Sequence, residues 1–204
     1  MDTELTRTRR SLHAVAELVL AGPQYRTSGT IRLRVIPGGF ATVAAPELRV
    51  DGVDLVTADG RVPMPGQSLG ALGAAAGVSA GAPEGLYHEG CGAEVDEVVT
   101  VDPAGLARLE SGFALGDRAL RVFAPDAVPV LWPEHFDLGI TIDEVNYGIS
   151  PGDGYLGEPY AYVGPWQRRE GEFWNAPFGA ARPLRELSDV DALVTFFTSG
   201  RAAA

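Results

Sequence analysis

The chain has 204 residues, 46% of them hydrophobic, and a formal net charge of −11. That length suits one domain spanning 1–204 with a substantial core, and the composition is that of a folded rather than a disordered chain. The charge excludes a nucleic-acid backbone or an anionic membrane as the main partner, since an acidic surface repels both.

Leu5, Leu12, Val15, Ala16 and Val19 recur at near-helical spacing, which predicts an amphipathic helix over 5–20 ended by Gly22-Pro23. The acid Glu17 and the base His13 interrupt its apolar stretch, so it reads as a helix and not as a signal peptide; the expected compartment is the cytoplasm. From Thr30 the period changes to two. "TIRLRVI" puts Ile31, Leu33 and Val35 on one face, and short strands follow, punctuated by Pro37-Gly38-Gly39, Asp51-Gly52 and Asp59-Gly60. Residues 30–64 are therefore expected to form an antiparallel meander, with type I′ turns at the two Asp-Gly pairs.

A small-residue helix is expected over 67–78 and irregular chain over 79–100. Asp102-Pro103 is a helix start, an N-cap carboxylate followed by proline at the first helical position, and Leu106, Leu109, Phe113 and Leu120 mark the buried stripe as far as about Val122. Strands are expected around 128–131, 136–142, 145–150 and 159–163. Ser188 with Asp191 three residues on predicts the capping box of a last helix carrying Val190, Leu193, Val194 and Phe197. The fold class is α+β, mainly antiparallel sheet with flanking helices, and the two runs 5–78 and 103–199 share a helix-strands-helix order as candidate internal halves.

All 16 basic residues are arginine, a bias that fits a GC-rich genome. The absence of lysine excludes Schiff-base and P-loop chemistry. A single cysteine, Cys91, excludes an intramolecular disulfide and a multi-thiolate zinc site within one chain. "GVSAG" at 77–81 matches the serine-elbow pattern, but an Ala-rich helix precedes Ser79 where a strand is required. "GCGAEV" at 90–95 lacks the third glycine of a dinucleotide loop and reads as a plain loop. Cys91 and His88 could pair, yet the acids around them would raise the thiol pKa and leave it unreactive.

The segment 131–178 stands apart, with all three tryptophans and a dense set of acids. In a strand running 135–140, His135 and Asp137 would share a face, which suits a general base with its orienting carboxylate or two ligands of a metal. Asp153 and Glu158 are candidates for a further carboxyl, and Tyr160, Tyr162 and Trp166 for the walls of an aromatic pocket beside Trp132. A structural role competes with these, since a histidine beside an acid in an aromatic core is often held there by hydrogen bonds alone. The acids Asp143 and Glu144 are expected at a solvated hairpin end.

"LWPEHFDLGI", "NYGISPGD", "EPYAYVGPW" and "APFGAARPL…DVDALVTFF" occur in that order. They resemble the C-terminal part of a mainly actinobacterial family described only as a domain of unknown function. The resemblance rests on Trp132, His135, Phe136, Asp137, Ser150, Gly152, Asp153, Glu158, Pro159, Tyr160, Tyr162 and Val163 over about 70 residues, and is loose over the first 100. It implies no activity. It does imply that His135, Asp137, Asp153 and Glu158 belong to one ordered set.

The expected function is therefore binding of a small molecule or a partner at a pocket built from Trp132, His135, Asp153, Glu158, Tyr160, Tyr162 and Trp166. The alternative is a hydrolytic enzyme, metal-assisted or acid/base, in which His135 works with Asp137, Asp153 or Glu158. A third reading makes the segment a core and a homo-oligomer interface. No cofactor is named by any motif, and neither nucleic acid nor membrane is expected as a partner.

Overall fold

The structure is a computed structural model and describes residues 3–87 and 90–204. Ten antiparallel strands flanked by helices give the expected α+β class. Two compact units divide the chain, Met1–Glu110 with Leu131–Phe136, and Ser111–Val130 with Asp137–Ala204. The division falls inside a helix and again after Phe136, whereas the helix-strands-helix halves would divide between 78 and 103.

In the first unit the opening helix does not stop at Gly22-Pro23. Helix α1 (Thr3–Ala14) runs into a π-helical stretch (Val15–Ala21) and on through α2 (Gly22–Ser28), which ends at Gly29 in the left-handed conformation, φ 72°. Proline explains the change of pitch. Inside an α-helix its ring collides with the carbonyl four residues earlier, and a π turn relieves that clash. In π register Leu18 would look to residue 23 for an N–H, which Pro23 lacks; the Gly81 N–H donates to the Leu18 carbonyl instead, at 2.8 Å. Gly22 sits so close to the Gly81 carbonyl that a Cβ would lie 1.7 Å from its oxygen, so this crossing requires glycine.

Strands β1 (Leu33–Ile36), β2 (Gly39–Thr42), β3 (Arg49–Asp51), β4 (Asp54–Thr57) and β5 (Gly60–Pro63) form the meander, with β6 (Val130–Trp132) joined to β1 through Leu131 and Leu33. Phe40, Val50 and Leu55 lie in one cross-strand row and are buried. That register corrects the turns. Val50 pairs with Leu55 and Leu55 with Val62, which makes the loops Gly52-Val53 and Ala58-Asp59. Neither Asp51 nor Asp59 takes positive φ, so neither Asp-Gly pair forms a type I′ turn. Helix α3 (Leu69–Ala75) follows, shorter than 67–78, with Ser68 accepting from the Ala71 N–H at its start.

Helix α4 (Pro103–Phe123) begins as expected, Asp102 Oδ2 accepting from the Gly105 N–H at 2.7 Å. Leu106, Leu109, Phe113 and Leu120 are all buried. In the second unit β7 (Asp137–Ile142), β8 (Val145–Ser150), β9 (Tyr160–Pro165) and β10 (Ala180–Pro183) pair in chain order. The short β10 has no counterpart among the strands expected from sequence, because "AARP" offers neither alternation nor β-branched residues. One sheet face carries Leu138, Ile140, Tyr147, Ile149, Ala161 and Val163, all buried. The C-terminal part of α4 and helix α5 (Val190–Ala203) pack on it. Phe123 and Phe197 contact Tyr147, and Gly116 and Gly200 bring the helix backbones against Ile149 and Val163. The cap of α5 is Asp189, accepting from the Ala192 N–H at 2.8 Å, one residue later than the predicted Ser188.

Candidate functional site

The other face of β7–β9 is polar, and its alternation is what brings the tyrosines and acids together. Gly139 pairs with Gly148, and Gly148 with Tyr162. Two strands without side chains at these positions leave a trough in which Tyr162 lies. A Cβ on Gly148 would meet the Tyr162 hydroxyl at 2.5 Å, and one on Gly139 would meet it at 2.8 Å. The hydroxyl reaches Asp137 Oδ2 and donates to it. Burial of this hydroxyl, then the charge of Asp137, pushes the Tyr162 pKa well up. Taken whole, Tyr162 is part-buried.

A second pair lies alongside. The buried Tyr160 donates to Asp153 Oδ2 at 2.6 Å. Asp153 Oδ1 accepts from the Tyr155 and Leu156 N–H groups, closing the tight turn that follows Pro151-Gly152. Burial and the hydrogen bond to Asp153 raise the Tyr160 pKa. Glu158 is taken up by Arg185, which it meets in an ion pair. These acids are thus already engaged by side chains of their own unit.

The 165–179 loop of this unit lines a concave surface. A cavity of about 430 Å³ is lined chiefly by Trp166, Arg168, Arg169, Trp174, Pro177 and Phe178, and no acid is among the described residues that line it. Trp166 is 65% exposed. Its backbone N–H donates to the Glu144 carbonyl at 2.9 Å and its indole N–H to Asn146 Oδ1 at 3.4 Å. Trp174 stands edge-on to Phe173, ring centres 5.0 Å apart, and Phe173 packs on Phe196 of α5. Asn175 pins the loop to β10 by accepting from the Ala181 N–H and donating to its carbonyl, at 2.9 and 3.1 Å. Phe178 stacks on Tyr160. Arg168 and Arg169 enter no ion pair among the described residues. Loop composition hid this lining from the sequence reading, which picked out Trp166 alone.

His135 and Trp132 belong to the first unit. The strand expected here starts only at Asp137, as β7, and does not reach back to His135, because residues 133–136 are a turn and Phe136 takes φ 55°. The left-handed residue breaks the alternation that would have put His135 and Asp137 on one face. The His135 side chain is 63% exposed and faces Glu134, Nε2 to Oε1 3.6 Å. Trp132 stacks beneath the Arg32 guanidinium, 5.8 Å from its ring centre. Among the described residues no group of three or more His, Cys, Asp or Glu side chains is placed to hold a metal ion.

Glu17 was missed as a site residue. The π stretch turns this acid inward, 2% exposed, where Oε1 accepts from the Tyr87 hydroxyl at 3.0 Å and Oε2 from the Cys91 N–H at 2.6 Å. Its signal in the sequence was an acid inside an apolar run just before Gly-Pro. Burial and the bond to Glu17 push the Cys91 thiol up to about 12; the direction is the expected one, but the cause is burial and Glu17 rather than the acids adjacent in sequence. One turn earlier His13 stacks on Phe136, and burial holds its pKa below the usual range. His88, the suggested partner of Cys91, lies outside the described residues. Ser79 is exposed after the end of α3, with no strand leading into it.

No family model, curated protein or solved structure matches this chain. No helix among the described residues is long and apolar enough to cross a membrane.

Proposed function

We propose that this chain is a cytoplasmic small-molecule-binding protein and that its ligand is a planar aromatic carboxylate held in the 165–179 cleft. The observation that supports the reading most is the convergence of Trp166 and Trp174 with Arg168 and Arg169 on one cavity, with no acid among the described residues that line it, in a chain of net charge −11. Indole faces stack on flat rings, and a guanidinium fork matches a carboxylate. The volume, about 430 Å³, is that of a small-molecule site, for which about 300–1,000 Å³ is usual. The Asp153–Tyr160 pair reaches this site through the ring contact between Tyr160 and Phe178, and neither Asp153 nor Asp137 needs to touch the ligand. Kinship with the actinobacterial family, whose shared residues include these two pairs, belongs to the same proposal.

Titration of 1-naphthoate against the purified protein tests it. Tryptophan fluorescence is expected to quench saturably, and Trp166→Ala or the double change Arg168→Gln, Arg169→Gln to weaken binding at least about tenfold, ~1.4 kcal/mol. Equal binding of methyl 1-naphthoate, which lacks the charge, would contradict the reading.

A further inference from the structure

We infer that the first unit carries a separate binding site, for a small aliphatic monocarboxylate, in the cleft between β1, β3 and the 42–48 loop. Arg34 pairs with Ala41, and Ala41 with Arg49. The two arginines therefore rise from one sheet face on either side of an alanine. Strands lie about 4.8 Å apart, so their backbones are about 10 Å apart with only a methyl group between, and two guanidinium groups span that gap. The cleft above holds about 440 Å³.

Arg34 is held in place by Nε, which donates to the Thr42 carbonyl at 3.3 Å and leaves its outer nitrogens available. Neither Arg34 nor Arg49 makes an ion pair among the described residues. Among the described residues that line it, Glu47 is the one acid against Arg34 and Arg49, so a single added carboxylate brings their charges to neutrality. Val43, Ala44, Val56 and Ala58 complete the wall, and they offer hydrocarbon to an alkyl chain but no face on which an aromatic ring would stack.

The wall is rigidly built. Gln24, fully buried, accepts from the Val43 and Ala44 N–H groups at 2.7 and 2.8 Å and donates to the Thr30 and Arg32 carbonyls, both at 2.9 Å. The buried Thr42 hydroxyl donates to the Pro46 carbonyl at 2.9 Å and accepts from the Leu48 N–H at 3.0 Å. Every bond that the Gln24 amide can make goes to holding this loop and the chain entering β1. A site preorganised in this way loses little entropy when it binds.

Calorimetric titration of hexanoate against the whole chain tests the inference, with hexan-1-ol and inorganic phosphate as comparison ligands and circular dichroism as the check on folding. Hexanoate is expected to bind saturably and hexan-1-ol not at all. Arg34→Gln and Arg49→Gln should each weaken hexanoate at least tenfold, and Trp166→Ala should leave it unchanged, which separates this site from the 165–179 cleft. Both arginines are exposed; if Arg34→Gln loosens the fold through its bond to Thr42, Arg49→Gln decides. No saturable heat with hexanoate, unchanged affinity in folded Arg49→Gln, or tighter binding of phosphate than of hexanoate would each overturn the inference.

Discussion

Glu17 holds a carboxylate where only 2% of the residue meets solvent, and it is stable there because a phenol and a backbone amide donate to it. Removing it strands both donors. Glu17→Ala is expected to cost about 3 kcal/mol in urea unfolding; a loss under about 0.5 kcal/mol would mean that these bonds are replaced by water. Residue identity made some positions legible in the sequence. Asp102 as a cap and the buried stripe of α4 follow from local rules, as does the solvated pair Asp143 and Glu144. The fate of His135 was not legible, because it turns on the left-handed conformation of Phe136, φ 55°, and bulky residues rarely take positive φ. Nor was the burial of Glu17, which needs the π pitch to rotate it inward.

At the scale of elements, the type I′ turn that the Asp-Gly pairs predicted occurs instead at Asp143-Glu144, the loop between Ile142 and Val145, with φ 50° and 62°. Its two residues carry a left-handed penalty that glycine and asparagine largely avoid. The double change Asp143→Asn with Glu144→Gly gives this loop the side chains a type I′ turn favours, and is expected to raise the thermal midpoint, by about 1 kcal/mol in stability. It also removes the ion pair between Arg201 and Asp143, which is 3.5 Å long and largely exposed, so little is subtracted. An unchanged or lower midpoint would show that the strands, not the turn, set this hairpin's stability. The meander, α4 and the C-terminal strands up to β9 could be read from period and punctuation. Strand β10 could not, because Asn175 and the pairing with β9 define it, and both are tertiary.

For the whole molecule, several protons are held more tightly in the folded than in the unfolded state. The Cys91 thiol, at about 12 when folded, titrates near 8.5 in an unfolded chain. The unfolded state therefore loses its proton first, and the contribution is full below about pH 8.5 and declines as pH rises towards 12. The raised phenols of Tyr162, Tyr160 and Tyr87 act in the same direction above about pH 10. Stability by chemical denaturation should fall steadily from about pH 8.5 to about 11, and Cys91→Ala should flatten the first part of that fall. A flat profile over this range would mean that these groups titrate alike in both states.

The central claim concerns where a ligand sits, and amide and indole chemical-shift mapping during a 1-naphthoate titration tests it most directly. The largest shifts are predicted at residues 165–179, with both the Trp166 and Trp174 indole N–H signals moving and saturating together. Saturable shifts confined to other parts of the chain, or no shifts at millimolar ligand, would contradict it.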